Sequence, residues 1–364
     1  AATANEVTIS DFAPAEQLAI TNSRVDGLEA RLNNFEAGSF SETTTASFSV
    51  DFAIGAVDGK GINTAQSTDG DEDLQAVYGF QIDLNTSFTG EDSLDVSIDA
   101  GNAANNGSSP LAEFDLNTAA TGGSDVLTVD GVSYTFPLGS MTAFVGDNTD
   151  GSLLFTTACV YGGPSNTLDD CGNVTAGITG GGLSIGAAYD FDNGFTTAFG
   201  AQFSETGIAT DETNDSYALN AAYTADSYGV SITYANIEDV NDNDTYMAFN
   251  GYYSFDNGLN ISAGYEIGDL DNALATVDET EAYFVGLNGE VGPGELGVAA
   301  GTYGTMTESA GSIPDRMMYE IYYSYAVNDG MTITPLIYSK EGGAVGVNGD
   351  LDETGIMVKT SFSF

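Results

Sequence analysis

Residues 244–267, DTYMAFNGYYSFDNGLNISAGYEI, contain two short segments separated by the dipeptide Asn257-Gly258. In the second segment, apolar residues alternate with small or polar ones from Leu259 to Glu266. Alternation with a period of two is typical of a strand with one apolar and one polar face. Asn-Gly tolerates the positive φ angles of a type I′ hairpin turn. The stretch therefore predicts two antiparallel strands, at about 244–255 and 258–267, joined by a tight turn.

The same pattern recurs over most of the chain, with further tight-turn dipeptides at Asn193-Gly194 and Asp329-Gly330. The predicted strands lie at about 44–54, 74–86, 93–100, 125–136, 139–146, 181–190, 194–204, 214–224, 227–236, 244–255, 258–267, 280–290, 294–303, 316–326, 330–339 and 354–364. The long connections lie at about 55–72, 102–124, 148–180, 205–214, 237–244, 268–279, 304–315 and 341–352. Short turns thus alternate with long loops along about 16 strands. This arrangement predicts an all-β fold, a transmembrane antiparallel β-barrel over residues 39–364.

The two faces of the predicted strands differ in chemistry. One face is aromatic and aliphatic, and the other carries small, polar and acidic residues. Acids on the lipid side of a barrel would be destabilising, so we predict that the polar face lines a water-filled lumen. The lumen-facing acid candidates are Asp51, Asp83, Glu266 and Glu320. The alternative is a soluble, salt-adapted β protein, which would carry more Lys and Glu on its outward face.

The residues before the barrel are predicted to form a tail, 1–13, and a short parallel coiled-coil helix, 14–38. Its a/d seam consists of Leu18, Thr21, Val25, Leu28, Leu32 and Phe35. Arg24 and Arg31 at g positions, with Glu29 and Glu36 at e positions, suit interhelical salt bridges. The seam predicts an oligomer and favours a trimer over a dimer. The alternative is one amphipathic helix that packs on its own domain.

Composition excludes several functions. The chain has 6 Lys and Arg against 54 Asp and Glu, a net charge of −48, and no His. Such a charge excludes nucleic acid as a partner, and the absence of His removes the usual general base of an enzyme. No cofactor is predicted, although acidic stretches such as Asp239–Asp244 leave incidental Ca²⁺ or Mg²⁺ bridging open. An acidic, Ca²⁺-binding structural β protein, secreted or on the cell surface, stays as the alternative function.

Three further features bear on the compartment. Ala2-Thr3-Ala4 has the form of a signal-peptidase site. Cys159 and Cys171 enclose 11 residues, and in an oxidising compartment they predict a disulfide, with two free thiols as the alternative. The alternating C-terminal segment ends on Phe364, which resembles the assembly signal of bacterial outer-membrane proteins.

Nearly the whole chain resembles the outer-membrane porins of marine cyanobacteria. The most specific matches are Thr21–Phe40, Val132–Asp147, Ala158–Gly172 and Met357–Phe364. The resemblance implies a homotrimeric diffusion porin in the cell outer membrane, with its helical stem in the periplasm. Many larger relatives carry an N-terminal module that binds the cell wall, but this chain has about 13 residues before the helix, so cell-wall binding is doubtful.

The resemblance also implies that the third long loop folds into the lumen and sets the constriction. Its candidate residues are Cys159, Tyr161, Asp169, Asp170 and Cys171. Beyond residue 40 the basic residues are Lys60, Arg316, Lys340 and Lys359, too few for the arginine cluster that common porins place opposite this loop. Arg316 and Lys340 are expected near the outer rim, facing each other or a loop acid. The predicted function is passive diffusion of small hydrophilic solutes and inorganic ions through a cation-preferring pore.

Overall fold

The structure is a computed structural model, which describes residues 44–58, 74–102, 111, 113–114, 116, 125–208, 214–238, 243–271, 279–303, 306–307, 317–341 and 353–364. The predicted tail (1–13) and coiled-coil stem (14–38) lie outside these residues, as does most of Asp239–Asp244. Within the described ranges, no helix has the length and apolar character needed to cross a membrane.

The described residues form one closed antiparallel β-barrel of sixteen long strands, as predicted, plus one two-residue strand. The strands are β1 (Thr44–Asp58), β2 (Gln75–Thr86), β3 (Ser93–Gly101), β4 (Thr128–Leu138), β5 (Met141–Asp147), β6 (Leu183–Asp190), β7 (Phe195–Phe203), β8 (Asp215–Thr224), β9 (Tyr228–Glu238), β10 (Asn243–Ser254), β11 (Leu259–Asp269), β12 (Glu279–Val291), β13 (Gly294–Thr302), β14 (Met306–Thr307), β15 (Met317–Asn328), β16 (Met331–Lys340) and β17 (Glu353–Ser363). The short β14 pairs with β12 beyond the end of β13.

The barrel closes where its first strand meets its last. β1 pairs with β2 on one side and with β17 on the other. Phe48 and Phe364 exchange backbone hydrogen bonds of 3.0 Å each, and their rings stack with centroids 5.7 Å apart. Closure leaves no unpaired sheet edge, which is the requirement for a barrel placed in lipid.

Strand bounds differ from the prediction mainly at two strands. β1 continues to Asp58, because Gly55 lets the backbone of β17 approach closely and the pairing with β17 runs to the end of the strand. β4 begins at Thr128 and ends at Leu138, and Gly139 forms the turn with a φ of +66°. A register shift between β3 and β4 inserts one residue near Asp130, which the period-two pattern does not signal.

The two barrel faces separate as the alternation predicts. The outward face exposes large apolar side chains, among them Phe52, Phe199, Leu219, Ile232, Phe249, Val285 and Ile337. The inward face of the same strands carries small or polar residues such as Ala218, Ala235, Ala248 and Ala282, which are buried. They are buried because a long loop lies against them inside the barrel, and this loop positions the candidate site.

Candidate pore constriction

The connection between β5 and β6, residues 148–182, folds into the barrel and is called the inner loop here. Its backbone is held by polar side chains on the inner face of distant strands. Ala158 donates its N–H to the Ser231 Oγ on β9 at 2.9 Å, and Val160 donates to the Ser262 Oγ on β11 at 3.1 Å. The inner loop therefore lies inside the lumen, along the wall that runs from β7 to β12.

Glycines on the wall make room for this close approach. A Cβ at Gly200 on β7 would overlap the backbone carbonyl of Gly151, and a Cβ at Gly264 on β11 would overlap the carbonyl of Cys171. The same Cys171 oxygen accepts a hydrogen bond from the Asn250 side-chain amide at 2.9 Å. Small residues on the inner face thus have a packing role here, beyond lining water.

The predicted disulfide is present. Cys159 and Cys171 are bonded, with Cα atoms 6.5 Å apart and a sequence separation of 12. The bond closes the part of the inner loop that contacts the wall of β11 and β12. It therefore restricts the loop inside the lumen.

Two of the four candidate acids are covered by the inner loop. The Glu266 carboxylate is fully buried and accepts the N–H groups of Thr175, at 2.9 and 3.1 Å, and Ala176, at 2.8 Å. Glu320 is 4% exposed and accepts the Tyr161 hydroxyl at 2.6 Å. Both acids point inward from the wall, but they hold the loop in place and lie away from open space.

The other two candidate acids lie on the adjacent strands β1 and β2, beside the closure of the barrel. Asp51 on β1 and Asp83 on β2 are half-buried, on the inner face. Asp83 accepts hydrogen bonds from the Ser97 hydroxyl at 2.7 Å and the Gln81 amide at 2.9 Å. Both donors are neutral, so they do not balance the negative charge of the Asp83 carboxylate.

A third inner-face acid, Asp95 on β3, was not predicted from the sequence. It accepts the Ser93 hydroxyl at 2.7 Å. The sequence does indicate that Asp95 lies on the polar face, because Ser93, Asp95 and Ser97 alternate with Leu94, Val96 and Ile98 in a predicted strand. Asp51, Asp83 and Asp95 on adjacent strands are called the wall acids below.

A cavity of about 680 Å³ lies between the inner loop and the wall of β3 and β4. Its lining includes the acids Asp95, Asp130 and Asp150, the hydroxyl residues Ser133 and Thr135, and the apolar Leu153 and Leu154. Asp95 lies on the wall, and Asp150 lies on the inner loop. The cavity therefore has acids on both of its sides.

Comparison with known proteins agrees with this architecture. No protein-family model matches the chain. An uncharacterized protein from Nostoc sp. (strain PCC 7120) is 32% identical over 161 residues, 40% of this chain, and the match spans about a quarter (27%) of that relative's length.

Among solved structures, the anion-selective porin from Comamonas acidovorans has a TM-score of 0.61 at 13% identity, covering 88% of this chain and 99% of that chain. A loop-L8 deletion mutant of OmpT, an outer membrane protein of Vibrio cholerae, has a TM-score of 0.59 at 12% identity, covering 88% and 100%. The chain has the porin fold.

The loop acids of this porin barrel ionise in a partly dry environment. Burial raises the pKa of Asp170 above its usual range, although the N–H of Gly172 donates to it at 2.9 Å and opposes the shift. Burial likewise raises the pKa of Asp150, against the N–H of Gly180 at 3.1 Å. Asp169 is exposed on the same loop. Asp150 and Asp170 therefore lose their charge at a higher pH than fully hydrated aspartates would.

The covered side of the barrel is filled by tyrosines that donate to acids. Burial and the neighbouring Glu320 raise the pKa of Tyr161, so its hydroxyl stays protonated and donates. On the wall, Tyr322 donates to Glu295 at 2.7 Å, and Tyr338 donates to Glu353 at 2.6 Å. Glu320 is buried in its pair, and Glu295 and Glu353 are half-buried in theirs.

The two described basic residues are also accounted for. Lys340 forms an ion pair with Glu113 from the second long loop. A loop acid was one of the two partners predicted for Lys340, the other being Arg316. Lys359 lies on the inner face of β17 with its Nζ 5.6 Å from the centre of the Phe114 ring. Arg316 and Lys60 fall outside the described residues.

Proposed function

We propose that this protein is an outer-membrane diffusion porin, a passive channel without enzymatic activity for small hydrophilic solutes and inorganic ions, with a preference for cations. The observation that carries the proposal is the inner loop, which lies inside a closed sixteen-strand barrel and leaves a cavity of about 680 Å³ with acidic walls. A barrel of this size holds an aqueous channel unless its interior is filled.

The outward face supports placement in a bilayer. Between the rims it carries exposed aliphatic and aromatic side chains, while every described acid of the central wall points inward or lies at a strand end. A soluble protein with this much exposed apolar surface would aggregate, whereas lipid accommodates it.

The cation preference rests on the charges along the passage. Among the wall acids, Asp83 and Asp95 have neutral hydrogen-bond donors, and of the two basic residues that the structure describes, Lys340 is already paired with Glu113. The fold itself does not set the sign of selectivity, since a porin named as anion-selective shares it. The sign follows from the side chains nearest the ions.

We further propose a homotrimer with a periplasmic stem. The support is the heptad pattern of residues 14–38, in particular the g and e positions occupied by Arg24, Glu29, Arg31 and Glu36. Cross-linking of the detergent-solubilised protein tests it. Trimers are expected from the full chain, and their persistence after Arg24→Glu and Arg31→Glu would contradict the role of the helix.

The channel function is tested with the purified full-length protein in planar bilayers. We expect stepwise conductance, and in asymmetric KCl a reversal potential that shows preference for K⁺ over Cl⁻. A reversal potential of the opposite sign would overturn the cation preference and leave the channel standing. Absence of any conductance from folded, heat-modifiable protein would overturn the channel itself.

A further inference from the structure

A second loop sends side chains into the barrel, on the side away from the acidic cavity. It connects β3 to β4, and its described interior residues are Leu111, Glu113, Phe114 and Leu116, called the plug residues here. All four are buried. Leu111, Phe114 and Leu116 pack into one apolar cluster with inner-face side chains of β15, β16 and β17, and this cluster extends to Ala53 on β1 and to the inner loop.

One ion pair connects the plug residues to the wall. Glu113 bonds to the ammonium group of Lys340 at the end of β16, and each side chain is 8% exposed. The Lys340 Nζ also lies 4.1 Å from the centre of the Tyr303 ring. Because a buried charge that loses its partner is strongly destabilising, the pair favours the state in which the plug residues stay against the wall.

The plug residues also contact the inner loop. Asn166 donates its N–H to the Glu113 carbonyl at 2.9 Å, and Phe114 forms an isolated antiparallel bridge with Ser165. The plug residues and the inner loop are therefore in direct contact inside the barrel. Porin-like barrels need one inward loop to narrow the lumen, and here the apolar cluster adds a second obstruction.

We propose that the plug residues close the side of the lumen bounded by β15, β16 and β17, and that the Glu113–Lys340 ion pair is the latch that keeps them there. Ions would then pass beside β3 and β4, along the wall acids. The inference rests on the proposed channel function for the route of the ions, but the position of the plug residues does not depend on it.

Thiol labelling tests the plug independently of conduction. Both native cysteines are in the disulfide, so Leu111→Cys adds the sole free thiol. In folded protein, selected by heat-modifiable migration, we expect this thiol to react with a maleimide at least about tenfold more slowly than one at the exposed turn residue Ser140. Adding Glu113→Gln or Lys340→Met should speed the reaction by at least about tenfold, because each leaves an unpaired buried charge.

The matched control is the double variant Glu113→Met/Lys340→Met in the same background. It lacks both charges, keeps apolar packing, and should protect Leu111→Cys as the parent does. Equal reaction rates at positions 111 and 140 in the parent, or no acceleration in either single variant, would overturn the proposal.

Conductance in 1 M KCl provides the second test. Both single variants should raise single-channel conductance by about twofold, because more of the barrel cross-section becomes aqueous. A pure charge effect predicts opposite changes, since Lys340→Met removes a positive charge and Glu113→Gln a negative one. Opposite or absent changes would overturn the latch. If the parent protein does not conduct, the proposed function fails, while the labelling result still decides on the plug.

Discussion

The Glu266 carboxylate shows how a single residue can hold a loop without a salt bridge. It is fully buried on β11 and accepts backbone N–H groups from Thr175 and Ala176. Charge-assisted hydrogen bonds of this kind offset the cost of burying the charge. A glutamine at this position would direct its side-chain NH₂ group, which is a donor, toward these backbone N–H donors.

Glu266→Gln is therefore expected to weaken the inner loop by about 1–3 kcal/mol. The measurement is the temperature at which the folded form disappears in a heat-modifiability assay, together with the noise of the open channel. Glu279→Gln is the control, because Glu279 is exposed at the start of β12. Equal behaviour of the two variants would contradict the anchoring role of Glu266.

Gly264 is a second residue on which the inner loop depends, because it leaves space for the loop backbone. A Cβ there would overlap the carbonyl of Cys171, so Gly264→Ala must displace the inner loop. We expect a cost of about 1–3 kcal/mol and a changed conductance. Gly251→Ala is the control, since its added Cβ would lie 3.4 Å from the nearest atom, on the outward face of β10. A crystal structure of Gly264→Ala with the loop unmoved would refute this account.

The inner loop is the element through which pH should act on the pore. Asp150 lines the cavity, and burial raises its pKa, so it takes up a proton at a higher pH than a hydrated aspartate does. As pH falls, this acid loses its charge before a hydrated aspartate does, and the cation preference should decline. Reversal potentials measured from pH 7 to pH 4 check this, with the decline starting above the ordinary aspartate pKa of about 3.9.

Asp150→Asn should remove the upper part of that pH profile. Asp256→Asn, in the exposed turn between β10 and β11, should leave the profile as it is in the parent. If the profile of Asp150→Asn matched that of the parent, the titrating group would have to lie elsewhere on the passage.

At the level of elements, sequence predicted the strands well and the loops poorly. Each strand leaves a local signal, because period-two alternation and Asn-Gly turns follow from the pleat and from backbone sterics. The contacts of the inner loop leave no such signal, because Thr175 meets Glu266 across 91 residues of chain and Tyr161 meets Glu320 across 159. Leu111, Phe114 and Leu116 were visible only as apolar residues in a polar connection.

For the whole molecule, contacts between residues far apart in sequence decide which acids can act on passing ions. Alternation alone placed Asp51, Asp83, Glu266 and Glu320 on one face, and the structure places all four there. It could not show that the inner loop covers two of them, because coverage depends on contacts far apart in sequence. The wall acids, rather than the total charge, should therefore set the selectivity.

Neutralising two wall acids with Asp83→Asn/Asp95→Asn should accordingly lower the K⁺ to Cl⁻ permeability ratio several-fold. The effect should be larger in 0.1 M than in 1 M KCl, because the screening length falls from about 10 Å to about 3 Å. Asp226→Asn/Asp256→Asn removes the same charge from exposed turns between β8 and β9 and between β10 and β11, neither of which lines the cavity, and should change the ratio little. An equal loss in both double variants would mean that net charge, and not the wall acids, governs which ions pass.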